Sequence, residues 1–185
     1  MIKRLFKDFM NKKNYNRGKR NGDTVMDIVD NYLLNKSSML MVPGRHIEYE
    51  TKVYEENGII LVRERMDKII QESCKQIGFS TYEGRMEAAR HITNYERKIP
   101  VVICKWLGIC FFPTHSFTHM DNYSISSEHI YDVVPTDDKK SSIIRFTNDL
   151  FLEIPCSTYS IKEQYKRSKE LLKLSRANMY QHFEK

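Results

Sequence analysis

Apolar positions along the chain recur with two different periods. A period of two, the mark of a half-buried strand, runs through SSMLMVP, then HIEYETKVYEE with Ile47, Tyr49, Thr51 and Val53 on one face, then GIILVRE. Asn57-Gly58 between the last two stretches predicts a hairpin with a type I′ turn, because both residues tolerate positive φ. The period then changes to that of a helix. In DKIIQESCKQIG the stripe is Ile69, Ile70, Cys74 and Ile77, and Gly78 stops it. A second helix is announced by Ser80-Thr81-Tyr82-Glu83, a capping box in which the Ser80 hydroxyl satisfies an orphan N–H while Glu83 reaches back; Tyr82, Met86 and Ala89 follow at helical spacing.

Lys98-Ile99-Pro100 breaks that helix. Beyond it VVICKW and GICFFP predict a hairpin, SISSEHIYDVV a strand, and SIIRFTNDLFLEIP two strands joined at Asn148-Asp149, with Ile144, Phe146, Leu150, Leu152 and Ile154 facing inward. The stretch from 160 to about 182 reads as one long amphipathic helix with a stripe of Ile161, Tyr165, Leu172 and Met179. The fold class expected is α+β: an antiparallel sheet of about seven to eight strands with several hairpins, a central helical pair and a long C-terminal helix.

Residues 1–30 are expected to lie outside that domain. Lys3, Arg4, Lys7, Lys12, Lys13, Arg17, Lys19 and Arg20 stand there against Asp8 and Asp23, with little apolar content after Met10, which describes a basic, disordered arm. Its first ten residues also allow a short amphipathic helix through Ile2, Leu5, Phe6 and Phe9. Residues 31–185 are expected to form a single domain, since no repeat, low-complexity tract or linker divides them.

Length and charge narrow the function classes. A chain of 185 residues is long enough to bury a core without staples, and its net charge of +6 suits an anionic partner. Cys74, Cys104, Cys110 and Cys156 are too scattered for a disulfide framework and read as reduced core thiols. The longest apolar run is interrupted by Lys105, so no membrane partner is expected, and the location expected is the cytoplasm. No phosphate loop, nucleophile elbow or paired-Asp signature appears, so no enzymatic activity and no cofactor are expected.

Two cationic groups remain as candidate sites. On the C-terminal helix Lys162, Lys166, Lys169, Lys173 and Arg176 fall in one narrow stripe, suited to a track of phosphates, although any surface helix has a charged face. Around the second helix stand Arg85 and Arg90, with Lys75, Arg97 and Lys98 near in sequence. Gly84 in its first turn permits either a phosphate at the helix N-terminus, leaving Arg85 to reach a groove, or close packing on the sheet. A rival reading takes Cys104, Cys110, His115 and His119, four zinc ligands in order, as a zinc-stabilised nucleic-acid or protein interaction module. Their C-x5-C spacing is wider than a zinc knuckle, and buried Cys behaves as a small apolar residue. A metal-dependent nuclease set of His115, His119, Asp121 and Glu128 has no other support in the sequence.

From about residue 32 to 170 stand, in order, Tyr32-Leu33-Leu34-Asn35, Ser73-Cys74, Phe79-Ser80-Thr81-Tyr82-Glu83-Gly84-Arg85, Ile92-Thr93, Lys98-Ile99-Pro100, Phe111-Phe112-Pro113-Thr114 with Ser116, Phe146-Thr147-Asn148, and Pro155-Cys156-Ser157 followed by Gln164 and Arg167. Together these strings resemble the ComK family of competence transcription factors. The resemblance implies an activator of DNA-uptake and recombination genes that binds paired AT-rich promoter boxes, mainly through the minor groove, and assembles as a dimer or tetramer, with RNA polymerase as a further partner. The DNA-binding residues expected for such an activator are Lys75, Ser80, Thr81, Tyr82, Gly84, Arg85, Arg90, Arg97, Lys98, Lys166, Lys169 and Lys173, with Arg85 entering the groove and the ridge of Lys166, Lys169, Lys173 and Arg176 meeting either the DNA backbone or the transcription machinery. Two stretches depart from the family's pattern. Tyr123-Ser124 stands where a Trp-Ile pair is usual, and Met179-Tyr180-Gln181-His182-Phe183 lacks the tail by which the family meets its adaptor and a Clp-type protease.

Overall fold

The computed structural model describes residues 25–180. The basic stretch up to residue 24, with its expected helix through Ile2, Leu5, Phe6 and Phe9, lies outside the described residues, as do Gln181, His182, Phe183 and the side chain of Met179.

The described residues form ten strands and three helices: β1 (Val25–Val29), β2 (Ser38–Pro43), β3 (Thr51–Glu55), β4 (Gly58–Val62), α1 (Met66–Gln76), α2 (Tyr82–Thr93), β5 (Val101–Cys104), β6 (Ile109–Pro113), β7 (Ser124–Ser126), β8 (Ile130–Pro135), β9 (Ser142–Phe146), β10 (Phe151–Ile154) and α3 (Thr158–Tyr180). The α+β class is as expected, but the strands make two sheets, a seven-stranded one in the order β1-β4-β3-β2-β7-β6-β5 and a three-stranded one in the order β10-β9-β8. The large sheet is not wholly antiparallel, because β1, which falls inside the stretch read as an arm, pairs parallel to β4.

β2 and β6 are apolar at almost every position because both of their faces are covered. Leu40 and Phe112 both pair with Ile125 of β7 in register, so the three share one face. That face packs with Met39, Val133, Ile144, Phe146, Ile154 and Ile161, under the small sheet and the first turns of α3. Met41, Val53 and Phe111 point the other way, into a second core with Ile69, Ile70, Cys74, Met86, Ala89, Leu171 and Leu172 from the three helices. A sheet covered on both faces reads as a continuous hydrophobic run rather than a clean alternation. α3 joins the two cores, contributing Ile161 to one and Leu171 and Leu172 to the other.

Three local expectations are corrected. The hairpin between β3 and β4 is present, but Glu55 pairs with Gly58, so its two turn residues are Glu56 and Asn57. Neither Asn57 nor Gly58 has positive φ, so the turn is not type I′. Upstream, Thr51 and Val53 are buried as expected, while Ile47 is 98% exposed and Tyr49 stacks on His46, because the Gly44 N–H bonds the Glu50 carbonyl and closes a loop ahead of the strand. The stretch SISSEHIYDVV is two strands in different sheets, broken where the Ser127 N–H bonds the Cys110 carbonyl and the His129 imidazole meets the Ser126 hydroxyl at 3.0 Å.

The helical pair is joined by a turn whose backbone is held from several sides. Ile77 and Gly78 N–H groups both bond the Ser73 carbonyl, and the Ser80 N–H bonds that of Cys74. The left-handed residue is Phe79, at φ 51, not Gly78. With Ser80 so engaged, the cap moves one residue on: Thr81 is the N-cap of α2 and accepts from the Gly84 N–H at 3.1 Å.

Candidate functional site

The expected binding residues fall into two neighbourhoods. The first is the α1–α2 turn and the loop leading to β5. Arg85, from the second turn of α2, lies under the α1–α2 turn, donating from one guanidinium nitrogen to the Val102 carbonyl of β5 at 3.0 Å and from the other to the Gly78 carbonyl. Its Nε is buried with no hydrogen-bond partner among the described residues. Gly78 is glycine because a Cβ there would meet the Cys74 and Ile103 carbonyl oxygens at 2.6 and 2.8 Å. Gly84 has no such backbone neighbour among the described residues; a Cβ there would meet the Ser80 and Thr81 hydroxyls at 3.2 and 3.3 Å, so it is not packed against the sheet. Tyr82 stacks on Phe117 at 3.9 Å, and burial pushes its phenol up to about 12.

The remaining cations of this neighbourhood differ in how far they are engaged. Lys75 reaches Glu72 at 3.0 Å, and Lys98 donates to the Thr114 carbonyl at 2.7 Å. Arg90 and Arg97 are exposed. The Arg97 carbonyl accepts from Arg167 of α3, whose guanidinium lies 4.9 Å from the Tyr95 ring, so α3 docks directly on this loop. Tyr95 in turn bonds Glu170 at 2.5 Å, and burial with that carboxylate beside it raises its phenol to about 12.

The second neighbourhood is the outer face of α3. Lys162, Lys166, Lys173 and Arg176 are exposed along one side, and Lys169 between them pairs with Glu128 at 2.7 Å. The stripe steps by four, three, four and three residues from Lys162 to Arg176. At about 1.5 Å per residue it is roughly 21 Å long. Its far end meets the turn between β5 and β6, where Arg176 Nε donates to the Lys105 carbonyl at 2.8 Å.

That turn carries a feature sequence reasoning missed. Trp106 and Leu107 stand at its tip, 62% and 47% exposed, with Lys105 Nζ 5.5 Å from the Trp106 ring. The signal was in the string CKWLGI: residues at the tip of a tight hairpin have no sheet face to be buried on. Phe79, 91% exposed, is a second such aromatic.

The candidate metal ligands are not brought together. Cys110 is fully buried, its thiol against the Ser168 carbonyl and pushed up to about 12 by desolvation, while His115 and His119 stack on each other at 4.9 Å. Asp121 is held by Arg45, and Glu128 by Lys169. Among the described residues no three His, Cys, Asp or Glu side chains cluster as a metal site, and no helix is long and apolar enough to cross a membrane.

A relative from Bacillus subtilis (strain 168) named "Competence transcription factor" is 25% identical over 142 residues, 76% of this chain and 72% of its own length. No solved structure matches the chain. The model of the family described as "ComK protein" matches residues 29–179, almost the whole span from β1 to the end of α3, and the chain therefore belongs to the ComK protein family.

Proposed function

We propose that the chain is a transcription factor of competence genes that binds double-stranded DNA at paired AT-rich promoter boxes, as a dimer or larger assembly in the cytoplasm, with no catalytic step of its own. The observation that carries the reading is the cationic stripe of α3. Its length of roughly 21 Å spans about six base pairs at 3.4 Å each, so a straight helix lying along one strand can neutralise several phosphates in succession. The Lys169–Glu128 pair is exposed, and such pairs are worth about 0–1 kcal/mol. Lys169 can therefore exchange Glu128 for a phosphate at little cost. The same holds for Lys75 and Glu72.

Arg90 and Arg97, exposed beside the loop on which α3 docks, make a second set of backbone contacts. Ser80, Thr81, Tyr82 and Gly84 shape the turn rather than touch bases. Arg85 is assigned a positioning role: a guanidinium donating to two carbonyls from a half-buried site is not available to enter a groove without leaving both unpaired. AT preference then arises from width, since a narrow minor groove concentrates negative potential and draws cations to its rims. RNA polymerase is the partner an activator of this kind requires.

The reading predicts that purified protein binds a duplex with paired AT boxes at least about tenfold more tightly than its GC-substituted counterpart, in complexes of dimer size or larger. Titrations of both duplexes, with complex mass measured in parallel, check it. Equal affinities would overturn the base preference, and a complex of one protomer would overturn the assembly.

A further inference from the structure

The turn between β5 and β6 is built to hold an apolar tip in a fixed place. Below it Val101, Val102, Ile103, Ile109, Cys110 and Phe111 are all buried. Gly108 takes φ 73 to close the turn, and Arg176 fixes the Lys105 carbonyl from the side. Singly exposed apolar residues need no explanation. Here an exposed tryptophan and an exposed leucine adjoin at one tip, which Arg176, the last cation of the stripe, reaches from α3, with Glu128 also close to Gly108. Phe79 is more exposed, but among the described residues no second exposed apolar side chain adjoins it, since Gly78 and Ser80 flank it in the chain.

We propose that the β5–β6 turn is a wedge that inserts Trp106, backed by Leu107, at a base step of the duplex whose phosphates the α3 stripe holds. The proposal rests on the duplex-binding reading above and adds to it the element that reaches the bases. Lys105 and Arg176 at the tip, with the nearby Glu128 carboxylate already paired to Lys169, favour a polyanion. An indole gains most by stacking on a base, and its single N–H matches the acceptors that line the minor-groove edge of A·T pairs. Side chains of this kind part a base step and kink the duplex, at least cost at flexible pyrimidine–purine steps.

Trp106 is the one tryptophan of the chain, so it reports on itself. The full-length protein is titrated with a dye-labelled AT-rich duplex, following duplex anisotropy for binding and tryptophan emission for the environment of the ring, with the end-to-end distance of a doubly labelled duplex as a measure of bend. The expected result is quenched emission and loss of acrylamide access in step with the rise in anisotropy. Trp106→Ala should bind about tenfold more weakly, the size of one base–aromatic stack, and leave the duplex straight, while Trp106→Phe keeps most of both. Unchanged emission while anisotropy reports binding overturns the wedge and leaves the duplex reading standing. No rise in anisotropy even at low salt removes both.

Discussion

Replacing Lys162, Lys166 and Lys173 together by glutamate is expected to weaken duplex binding on the order of a thousandfold at physiological salt while leaving the fold intact. The three side chains are exposed on the outer face of α3, turned away from Ile161, Gln164, Ser168, Leu171 and Leu172, which are buried. Counterion release makes each phosphate contact worth about fivefold at 0.15 M salt relative to 1 M, so losing three forfeits about a hundredfold, and the three new negative charges add repulsion. Surface substitutions of this kind change stability by about 0.5 kcal/mol or less each. Electrophoretic mobility shift and urea unfolding of the same preparation separate the two effects. Retained affinity in a folded variant would mean that the stripe is only a solvated face.

Gly78→Ala is expected to destabilise the fold by about 3 kcal/mol, through overpacking against backbone that cannot yield. The added carbon would press on the Cys74 carbonyl, which already accepts from Ser80, and on the Ile103 carbonyl of buried β5. Moving away from both would also pull the Gly78 carbonyl from Arg85. Gly84→Ala is the matched control, since its carbon would meet only two hydroxyls and Ala is a better helix former by up to about 1 kcal/mol, so its effect should stay within about 1 kcal/mol. Urea titration of both variants reads the contrast, and equal destabilisation would contradict the packing assigned to the turn.

The strength of the periodic signal decided what could be read from the chain. The stripe Ile69, Ile70 and Cys74 of α1, the inward set Ile144, Phe146 and Ile154, and the helix from Thr158 onward were all visible in the pattern, because each buries one face. The assignment of strands to sheets was not. Period two says which residues share a face, but not that both faces of β2 and β6 are covered, nor that Ser127 and His129 end one strand and start the next in a different sheet. β1 lacked a signal for a related reason: its parallel partner β4 lies beyond two intervening strands, and only tertiary pairing holds it.

At the candidate site the limit was set by hydrogen bonding. Residue type and spacing marked Arg85 as a cation near a helix start, and only the fold reveals that the Gly78 and Val102 carbonyls occupy it. The α3 stripe was legible because a helix converts spacing directly into a face, and Lys162, Lys166 and Lys173 do stay on the surface. Thr81 took the cap from Ser80 because the preceding turn had already used the Ser80 backbone, a competition that no short motif encodes.

The most direct test of the account is the slope of log affinity against log salt for an AT-box duplex, measured for the wild type and for the Lys162→Ala, Lys166→Ala, Lys173→Ala triple variant. If α3 lies along the phosphates, the wild-type line is the steeper by about 3 for each bound protomer, and the two lines converge toward high salt. Parallel lines would contradict the account, placing the phosphate contacts elsewhere on the molecule and leaving the stripe without a role.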